Sequence, residues 1–542
     1  MPGSFFLEWS SMKILTAAEM SAADRATAER FGVPFGELME HAGTAVAKFT
    51  QQQYPTAKNI LVLAGAGNNG GDGFVAARVL LQSGRNVEVL LLGDAAKLKG
   101  DAAAAYQSLD GSVVRILADE AAVKESLPNA IREADVLLDA LVGTGFTPPL
   151  RGSAAVARDI VADTTISVIA VDLPSGWDAN LTETYADGAF RANAVVTFTA
   201  PKLAHAFGHL TAPDVFGPVV VAPIGSPDAA IESEQKLTWT GAAKRIFETP
   251  RPFESNKGMY GHVLLIGGAA GKAGAPSMSS LAALRAGAGL VTAAVPTSIL
   301  NTVALITPEL MTHPLSEDAT GSVALANLQS KDQWLKKISV LAIGPGLGTN
   351  GEASEFVRRL VLESDIPLVL DADGLNAFKD QAALLNEASR NGARTIVLTP
   401  HPGEMGTLLG ITAKQVQADR LNLARDFAQQ HGVTLVLKGS RTLVAHPDGS
   451  IAVNTTGNPS MAKGGSGDIL TGIVAACLAQ KPNQVREAVA SAVYLHGLAG
   501  DFAAREMDEH TVLATDTVAH LSRAFRYRTA DSIGDWICGL HD

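Results

Sequence analysis

The chain has few of the features that mark secreted, membrane-spanning or nucleic-acid-binding proteins. It contains only two cysteines, Cys477 and Cys538, in 542 residues, which is too few for a disulfide framework or a cysteine-ligated zinc site. No apolar stretch is long enough to cross a bilayer, and Met1–Ser11 lacks the basic and apolar parts of a signal peptide. The net charge is −12, with no run of Lys or Arg, so the basic stripe of nucleic-acid binders is missing. We therefore expect a cytoplasmic protein with small-molecule partners.

Glycine, by contrast, is abundant at 52 residues, and many glycines cluster in short loops after apolar runs. This pattern is typical of α/β folds, in which glycine loops connect strands to helices. The near-continuous apolar strands indicate parallel sheets that are covered on both faces. A chain of this length favours two or three domains, and residues 227–255 are polar and lack a strong strand signal. We predict two three-layer α/β domains, at 13–227 and 250–525.

The first glycine loop is GAGNNGGDG, residues 65–73, between a strand predicted at 60–63 and a helix predicted at 74–81. Exposed backbone N–H groups and the helix dipole at such a place favour an anion such as a pyrophosphate. A glycine pattern alone is weak evidence, because a tight turn without a ligand has the same sequence.

Two further strands bring carboxylates to the same predicted edge. One ends in Asp139, and the other ends in Asp172, which is followed by Ser175. Ligands of open α/β sheets gather at this edge, although either carboxylate could instead cap a helix. The oxygens of Asn69, Asp139 and Ser175 could also hold a hard cation.

The motifs GNNGGDG, DALVGTG and VDLPSG, in this order, resemble the NAD(P)HX epimerase family, the YjeF N-terminal domain, over roughly residues 13–227. ELMEHAG resembles the leading-helix motif of that family, with His41 where Asn is common. The resemblance implies a Rossmann-like fold, with K⁺ bound by Asn69, Asp139 and Ser175 and with Asp172 against the nicotinamide. It also implies that the hydrated dinucleotide contacts Asn68, Asn69, Gly70, Gly71, Asp72, Gly143, Thr144, Gly145, Phe146, Thr147, Pro148, Pro149 and Asp172.

The chemistry of that family explains why a carboxylate is needed. The hydrated nicotinamide carries a hydroxyl on C6 in R and S forms, and their interconversion requires cleavage of the C6–O bond with assistance from the ring nitrogen. A carboxylate such as Asp172 can move the proton and stabilise the transient iminium cation. We expect Asp172 to be catalytic.

The sharpest local motif is MAKGGSGDILTG, residues 461–472. Gly464–Gly467 can form an anion-binding turn at the start of a helix. Asp468 follows in the first helical turn, where we expect the helix dipole to keep it ionised. An ionised carboxylate beside an anion hole can take a proton from a hydroxyl during phosphoryl transfer. The alternative is an Asp that only caps the helix.

Other polar residues follow strands of the same series. Lys438 comes after a strand, in a place that suits nucleotide phosphates. A histidine such as His401 is more often structural than functional, and Glu404 could be a solvated surface carboxylate.

These segments together resemble the NAD(P)HX dehydratase family, the YjeF C-terminal domain, which is ribokinase-like, over roughly residues 250–525. The motifs are NKGMYGHVLLIGG, GPGLG, DADGLN, TPHPGEM, LKGSRT and GNPSMAKGGSGD, with Asn256 where the family usually has His. The resemblance implies that Ala275, Gly346, His401 and Asp468 contact the hydrated dinucleotide and that Asp468 is the base. The adenine nucleotide would contact Lys438, Gly439, Ser440, Arg441, Thr442 and Gly467.

The implied reaction uses ADP with Mg²⁺ to phosphorylate the C6 hydroxyl of S-NAD(P)HX, and loss of phosphate then restores NADH or NADPH, leaving AMP and phosphate. The main alternative is a ribokinase-like small-molecule kinase that carries a non-catalytic dinucleotide-binding module at its N-terminus. We also expect a homo-oligomer.

Overall fold

The computed structural model describes residues 11–212, 216–390 and 392–541. These residues form two compact units, the first made of residues 12–237 with 528–541 and the second of residues 238–527. Among the described residues, no helix combines the length and apolar character needed to cross a bilayer.

The first unit contains one eight-stranded sheet with the order β18-β7-β6-β5-β4-β1-β2-β3. Its strands are β1 (Asn59–Ala64), β2 (Asn86–Leu92), β3 (Val114–Leu117), β4 (Val136–Ala140), β5 (Ser167–Val171), β6 (Ala194–Phe198), β7 (Val219–Ala222) and β18 (Asp535–Cys538). Its helices are α1 (Ala17–Phe31), α2 (Phe35–Gln53), α3 (Asn68–Gln82), α4 (Gly100–Gln107), α5 (Glu120–Glu133), α6 (Gly152–Ala162) and α7 (Leu203–Phe207).

Alternate side chains of β1 show why this unit has three layers. Ile60 and Val62 belong to an apolar core that also contains residues of α2 and α3. Leu61 and Leu63 belong to another core, which contains residues of α5 and α6. Successive side chains of a strand point to opposite faces of its sheet, so helices cover both faces, as the apolar strands predict.

The strand order places the ligand edge of the first sheet. All neighbouring strands run parallel except β18, which pairs antiparallel with β7. The order 3-2-1-4-5-6 is that of dinucleotide-binding Rossmann folds, and its direction reverses between β1 and β4. The strand β18 lies after residue 525, outside both predicted domains.

The second unit contains a ten-stranded sheet with the order β11-β10-β9-β12-β13-β14-β15-β16-β17-β8. Its strands are β8 (Leu237–Trp239), β9 (His262–Ile266), β10 (Leu290–Pro296), β11 (Met311–Leu315), β12 (Val340–Ile343), β13 (Leu368–Leu370), β14 (Ile396–Leu398), β15 (Thr434–Leu437), β16 (Leu443–Ala445) and β17 (Ile451–Val453). Its helices are α8 (Thr240–Ala243), α9 (Gly274–Arg285), α10 (Leu300–Ala304), α11 (Lys331–Trp334), α12 (Gly351–Glu363), α13 (Asp373–Asn376), α14 (Ala383–Ser389), α15 (Pro402–Leu409), α16 (Ala413–Ala418), α17 (Arg420–His431), α18 (Ser466–Gln480), α19 (Val485–Glu506) and α20 (Ala514–Arg526).

The second sheet is parallel from β11 to β15, and β15, β16 and β17 pair antiparallel. Its order reverses direction between β9 and β12, so this unit also has a ligand edge at the carboxyl ends of its strands. The polar stretch 227–255 does contain a strand, β8, contrary to the weak strand signal there. Three residues at a sheet edge are too few to show an alternating pattern.

Candidate active sites

The first glycine loop is shorter than predicted, because α3 begins at Asn68 rather than at Phe74. Close packing accounts for glycines inside the first turns of this helix. A Cβ atom on Gly70 would lie 1.9 Å from the carbonyl oxygen of Gly65, and one on Gly73 would lie 2.6 Å from the Cβ of Ala140. The glycines therefore bring the start of α3 against the ends of β1 and β4, with Asn68, Asn69 and Asp72 on the helix itself.

Asp139 and Ser175 form a buried pair at this edge. The Ser175 hydroxyl donates to Asp139 Oδ1 at 2.6 Å, and the Ser175 backbone N–H donates to Oδ2 at 2.7 Å. Both residues are fully buried. Burial outweighs these hydrogen bonds and raises the pKa of Asp139 to about 6. The carbonyl oxygen of Val142 lies 3.2 Å from Ser175 Oγ, so carboxylate, hydroxyl and carbonyl oxygens share a small volume.

Asp172 follows β5 directly and is held by donors from three segments. Its Oδ1 accepts from Lys202 Nζ at 2.8 Å and from the Thr197 hydroxyl at 2.9 Å. Its Oδ2 accepts from the backbone N–H of Thr144 at 3.1 Å and from the Thr144 hydroxyl. Burial acts to raise the pKa of Asp172, but Lys202, His205 and these donors outweigh it and hold the pKa well below its usual range. Asp172 is therefore a charged group at neutral pH.

His205 fixes the backbone around this carboxylate. Its Nε2 lies 2.7 Å from the Asp172 carbonyl oxygen, and its Nδ1 accepts from the backbone N–H of Lys202 at 3.0 Å. Burial and the Lys202 charge lower the pKa of His205 to about 4. A neutral ring that accepts at Nδ1 and donates from Nε2 satisfies both contacts. Asp172 also has a positive φ of 66°, a conformation that needs such support.

Asn69 and Asp72 bring α3 to the Asp172 site. A Cβ atom on Gly143 would lie 3.0 Å from Asn69 Oδ1 and 3.1 Å from Asp172 Oδ2. The Nδ2 group of Asn69 is buried without a hydrogen-bond partner. Burial, together with the charges of Asp172 and Asp24, raises the pKa of Asp72 well above its usual range. The site thus combines a charged carboxylate with a carboxyl group that favours its proton.

The other predicted residues of the first site differ in position. Thr144 contacts Asp172 directly, while Gly145, Thr147 and Pro149 are exposed in the loop after β4. Phe146 packs against the core that contains α5 and α6, so the interior takes up part of its ring. Among the described residues, no hydrogen bond joins Asn69 to Asp139 or Ser175, so the predicted K⁺ ligands are not all in direct contact.

In the second unit, Asp468 lies in the first turn of α18, which begins after Gly465 at a positive φ of 97°. The predicted ionised state agrees with the pKa of Asp468 at pH 7, but this pKa is raised and not lowered as the helix dipole alone would have it. Burial first, and then the neighbouring charge of Asp371, raise the pKa of Asp468 to about 6, although Lys438 opposes them. A carboxylate with this pKa is still mostly ionised at pH 7 and is suited to accept a proton.

Lys438 follows β15 and is already paired with carboxylates. Its Nζ donates to Asp371 Oδ1 at 2.9 Å and lies 3.6 Å from Glu404 Oε2. Burial alone would lower the pKa of Lys438, but Asp371 and Glu404 outweigh burial and raise it. A Cβ atom on Gly467 would lie 3.2 Å from Lys438 Nζ. The lysine therefore lies under the glycine turn at the start of α18.

The backbone of the predicted nucleotide loop, residues 438–442, is held by Arg420 from the start of α17. Its guanidinium donates to the carbonyl oxygens of Leu437, Ser440 and Arg441. Arg441 donates to the Thr455 carbonyl at 2.8 Å, and the Thr442 hydroxyl donates to the Gly439 carbonyl at 2.9 Å.

The predicted dehydratase residues Ala275 and Gly346 lie together, since a Cβ atom on Gly346 would be 3.1 Å from that of Ala275. His401 has a clear structural role as the N-cap of α15. Its Nδ1 accepts from the backbone N–H groups of Gly403 and Glu404, and Glu404 bonds back to the backbone of His401. More than half of the His401 side chain is nevertheless exposed, so it remains accessible to a ligand.

Comparisons with known proteins identify both units. Residues 36–204 match the family model described as YjeF-related protein N-terminus, and residues 263–523 match the model described as NAD(P)H-hydrate dehydratase. A bifunctional NAD(P)H-hydrate repair enzyme of Moorella thermoacetica is 38% identical over 95% of this chain and 97% of its own length. The enzyme of the same name from Escherichia coli is 35% identical over 96% of this chain and 95% of its own.

This chain belongs to the family of bifunctional NAD(P)H-hydrate repair enzymes. The two resemblances found in the sequence are thereby confirmed, and the dehydratase match disfavours the kinase alternative for the second unit. A solved structure of an ADP/ATP-dependent NAD(P)H-hydrate dehydratase from Bacillus subtilis, co-crystallised with ATP and Mg²⁺, is 29% identical, with a TM-score of 0.43, over 52% of this chain and 96% of that one.

Several side chains that build these sites were not predicted from the sequence. Lys202 follows the apolar strand β6 much as Lys438 follows β15, so the reasoning that selected Lys438 could have found it. Asp371 stands in the DADGLN motif, directly after an apolar strand, and offered the same signal. Asp24 and Arg420 lie within helices and gave no local signal, because only the fold brings them to the sites.

Proposed function

We propose that this family member repairs hydrated NADH and NADPH with two separate sites. Its first domain, residues 13–227, interconverts R- and S-NAD(P)HX, and its second domain, residues 250–525, dehydrates the S form with ADP. The observation that carries this proposal is the pair of contrasting carboxylates, one fixed in its charged state at Asp172 and one near neutral pKa at Asp468.

In the first site, the hydrated nicotinamide would lie against Asp172, between the start of α3 and the loop 143–149. When the C6–O bond breaks, the ring becomes an iminium cation, and a carboxylate that is already charged stabilises it without reorganisation. Asp72, whose pKa is raised, can donate a hydrogen bond or a proton to the departing oxygen. The free Nδ2 group of Asn69 offers a donor to a ligand oxygen.

The residues present fit a potassium ion beside Asp139. This carboxylate is fully buried, and Ser175 Oγ and the Val142 carbonyl lie next to it. Oxygen donors of this kind suit a hard cation, and a bound cation would supply a counter-charge for Asp139. Asn69 would supply a further oxygen ligand through its side-chain amide. Ser175 itself holds the loop after β4 in place.

In the second site, Asp468 would take the proton from the C6 hydroxyl while that oxygen attacks the terminal phosphorus of ADP, and AMP leaves. Phosphate then leaves C6 and a proton leaves C5, which restores the dihydronicotinamide. Phosphate is a far better leaving group than hydroxide. Lys438 and the glycine turn 464–467 would bind the phosphates, while Gly439, Ser440, Arg441 and Thr442 contact the rest of the nucleotide.

Magnesium would reach this site with the nucleotide. The described residues contain no group of three or more His, Cys, Asp or Glu side chains that is arranged to hold a metal ion. Mg²⁺ commonly takes most of its ligands from phosphates and water rather than from a protein cage. When bound, Mg²⁺ would neutralise charge on the phosphates.

The cytoplasmic location and the homo-oligomeric state of the protein stay predictions.

One assay tests both activities. The full-length protein is incubated with mixed epimers, Mg²⁺ and either ADP or ATP, and the recovery of dihydronicotinamide absorbance and the release of phosphate are followed. We expect both epimers to be consumed with ADP, and epimer interconversion to continue without any nucleotide. A stable phosphorylated product would instead support the kinase alternative, and no interconversion would support a non-catalytic first domain.

A further inference from the structure

Asp371 is buried in the second unit and forms hydrogen bonds to two parts of the second site. It follows β13 directly and is 1% exposed. Its Oδ1 accepts from Lys438 Nζ at 2.9 Å, and its Oδ2 accepts from the Thr471 hydroxyl at 2.7 Å. Both carboxylate oxygens are therefore engaged by residues of other elements, the end of β15 and the helix α18.

The hydrogen bond to Thr471 matters because Thr471 lies close to Asp468 on α18. Thr471 is three residues after Asp468, which is almost one helical turn. A Cβ atom on Gly467 would lie 3.9 Å from Asp371 Oδ2 and 3.2 Å from Lys438 Nζ. Asp371 thus lies directly beneath the first turn of α18, between the lysine and the turn that carries Asp468.

We propose that Asp371 is a positioning residue of the dehydratase, which anchors Lys438 and the first turn of α18 so that the lysine and Asp468 face the nucleotide together. This inference rests on the function proposed for the second unit. It goes beyond that function because Asp371 acts through Lys438 and Thr471 and not by touching the substrate.

Asp371 also sets the charge around the base. The groups that act on Asp468 are Asp371 after β13, Asp373 on α13, Glu404 on α15 and Lys438 after β15. Asp371 has the largest effect among these charges and raises the pKa of Asp468. Removal of its charge should lower that pKa, so the deprotonated base should persist to lower pH. An anchor that served only folding would not change the pH profile.

Two substitutions separate the charge of Asp371 from its hydrogen bond. In Asp371→Asn the charge is lost and the shape is kept. We expect kcat for dehydration to fall about tenfold, and the acid limb of its pH profile to move to lower pH by roughly one unit. In Thr471→Val the bond is lost and the charge is kept, so kcat should fall about fivefold with the acid limb unmoved. Thr471→Ser keeps the donor and should restore most of the activity.

The controls make each result decisive. Asp332→Asn removes an exposed carboxylate of α11 and should leave the rate and the profile unchanged. Thermal unfolding and ADP calorimetry on each variant show whether it folds and binds. A folded Asp371→Asn with the wild-type acid limb, or a Thr471→Val with the wild-type kcat, would overturn the inference. If the wild-type protein shows no ADP-dependent dehydration, the proposed function itself fails.

Discussion

The two sites hold a carboxylate at the ligand edge of a parallel sheet and give it opposite surroundings. Asp172 meets an ammonium group, two hydroxyls and a backbone N–H, and its pKa lies well below the usual range. Asp468 is half-buried, and its partial burial, together with the charges of Asp371, Asp373 and Glu404, raises its pKa to about 6. Environments that separate two pKa values in this way assign different roles to the same side chain.

This difference matches the two reactions. An epimerase that passes through a cation benefits from a negative charge that is permanent and fixed in position. A base that accepts a proton near neutral pH benefits from a pKa close to the working pH. In this chain, the buried Lys202 keeps Asp172 charged. Burial and several carboxylates, which lie around Lys438, raise the pKa of Asp468.

The largest effect should come from removing the base. Asp468→Ala should lower the dehydration rate by about 10²- to 10⁴-fold, the range typical of general base catalysis, while epimerisation continues at the wild-type rate. The measurement is NADH recovery with ADP, alongside epimer interconversion followed by chromatography. Comparable loss of both activities would contradict the separation of the two sites.

Lys202→Met removes the charge that keeps Asp172 ionised. Lys202 is 2% exposed and Asp172 is 7% exposed, and breaking a buried pair from one side costs about 3–5 kcal/mol of stability. Denaturant unfolding measures this cost, and epimerisation should fall while dehydration by the folded protein is retained. A variant as stable as the wild type, with full epimerase activity, would show that the pair has no such role.

The pH dependence of dehydration gives a sharper comparison. The folded-state pKa of Asp468 is about 6, and a base acts in its deprotonated form, so the proposed role predicts that activity is lost as pH falls through this value. At pH 5 the rate should be about a tenth of its plateau, one pH unit below the pKa. Asp172 has a depressed pKa and stays charged over the same range. Initial rates at saturating ADP from pH 5 to 8 test this, and a flat profile would exclude Asp468 as the titrating base.

The sequence predicts the positions of the site residues better than their partners. Apolar strands followed by Gly, Asp or Lys place Asn69, Asp139, Asp172 and Lys438 at the ligand edges, because parallel strands bring their carboxyl ends together. The partner of Asp172 lies 30 residues away, and that of Lys438 lies 67 residues away. Such contacts depend on strand order, which local patterns do not encode.

The direction of the Asp468 shift could not be predicted for the same reason. The helix dipole is a local property that can be read from the sequence, and it favours an ionised carboxylate. Burial in the fold opposes it most, and the charges that add to burial come from residues 371, 373 and 404, on three different segments. The strand β18 illustrates the same limit in the fold, since its pairing with β7 joins residues more than 300 positions apart.

The smallest expected effect comes from Thr197, one of several donors to Asp172. Thr197→Val removes the 2.9 Å hydrogen bond to Oδ1 and the 2.8 Å hydrogen bond that Thr197 Oγ1 accepts from Lys202 Nζ. The 2.8 Å contact of Lys202 Nζ with Oδ1 and both Thr144 donors stay in place. We expect epimerisation to fall only about fivefold, which corresponds to about 1 kcal/mol, the size of a typical net hydrogen-bond contribution. Thr197→Ser keeps the hydroxyl and serves as the matched control. A loss as large as that of Lys202→Met would mean that the hydroxyl network, rather than the lysine charge, keeps Asp172 ionised.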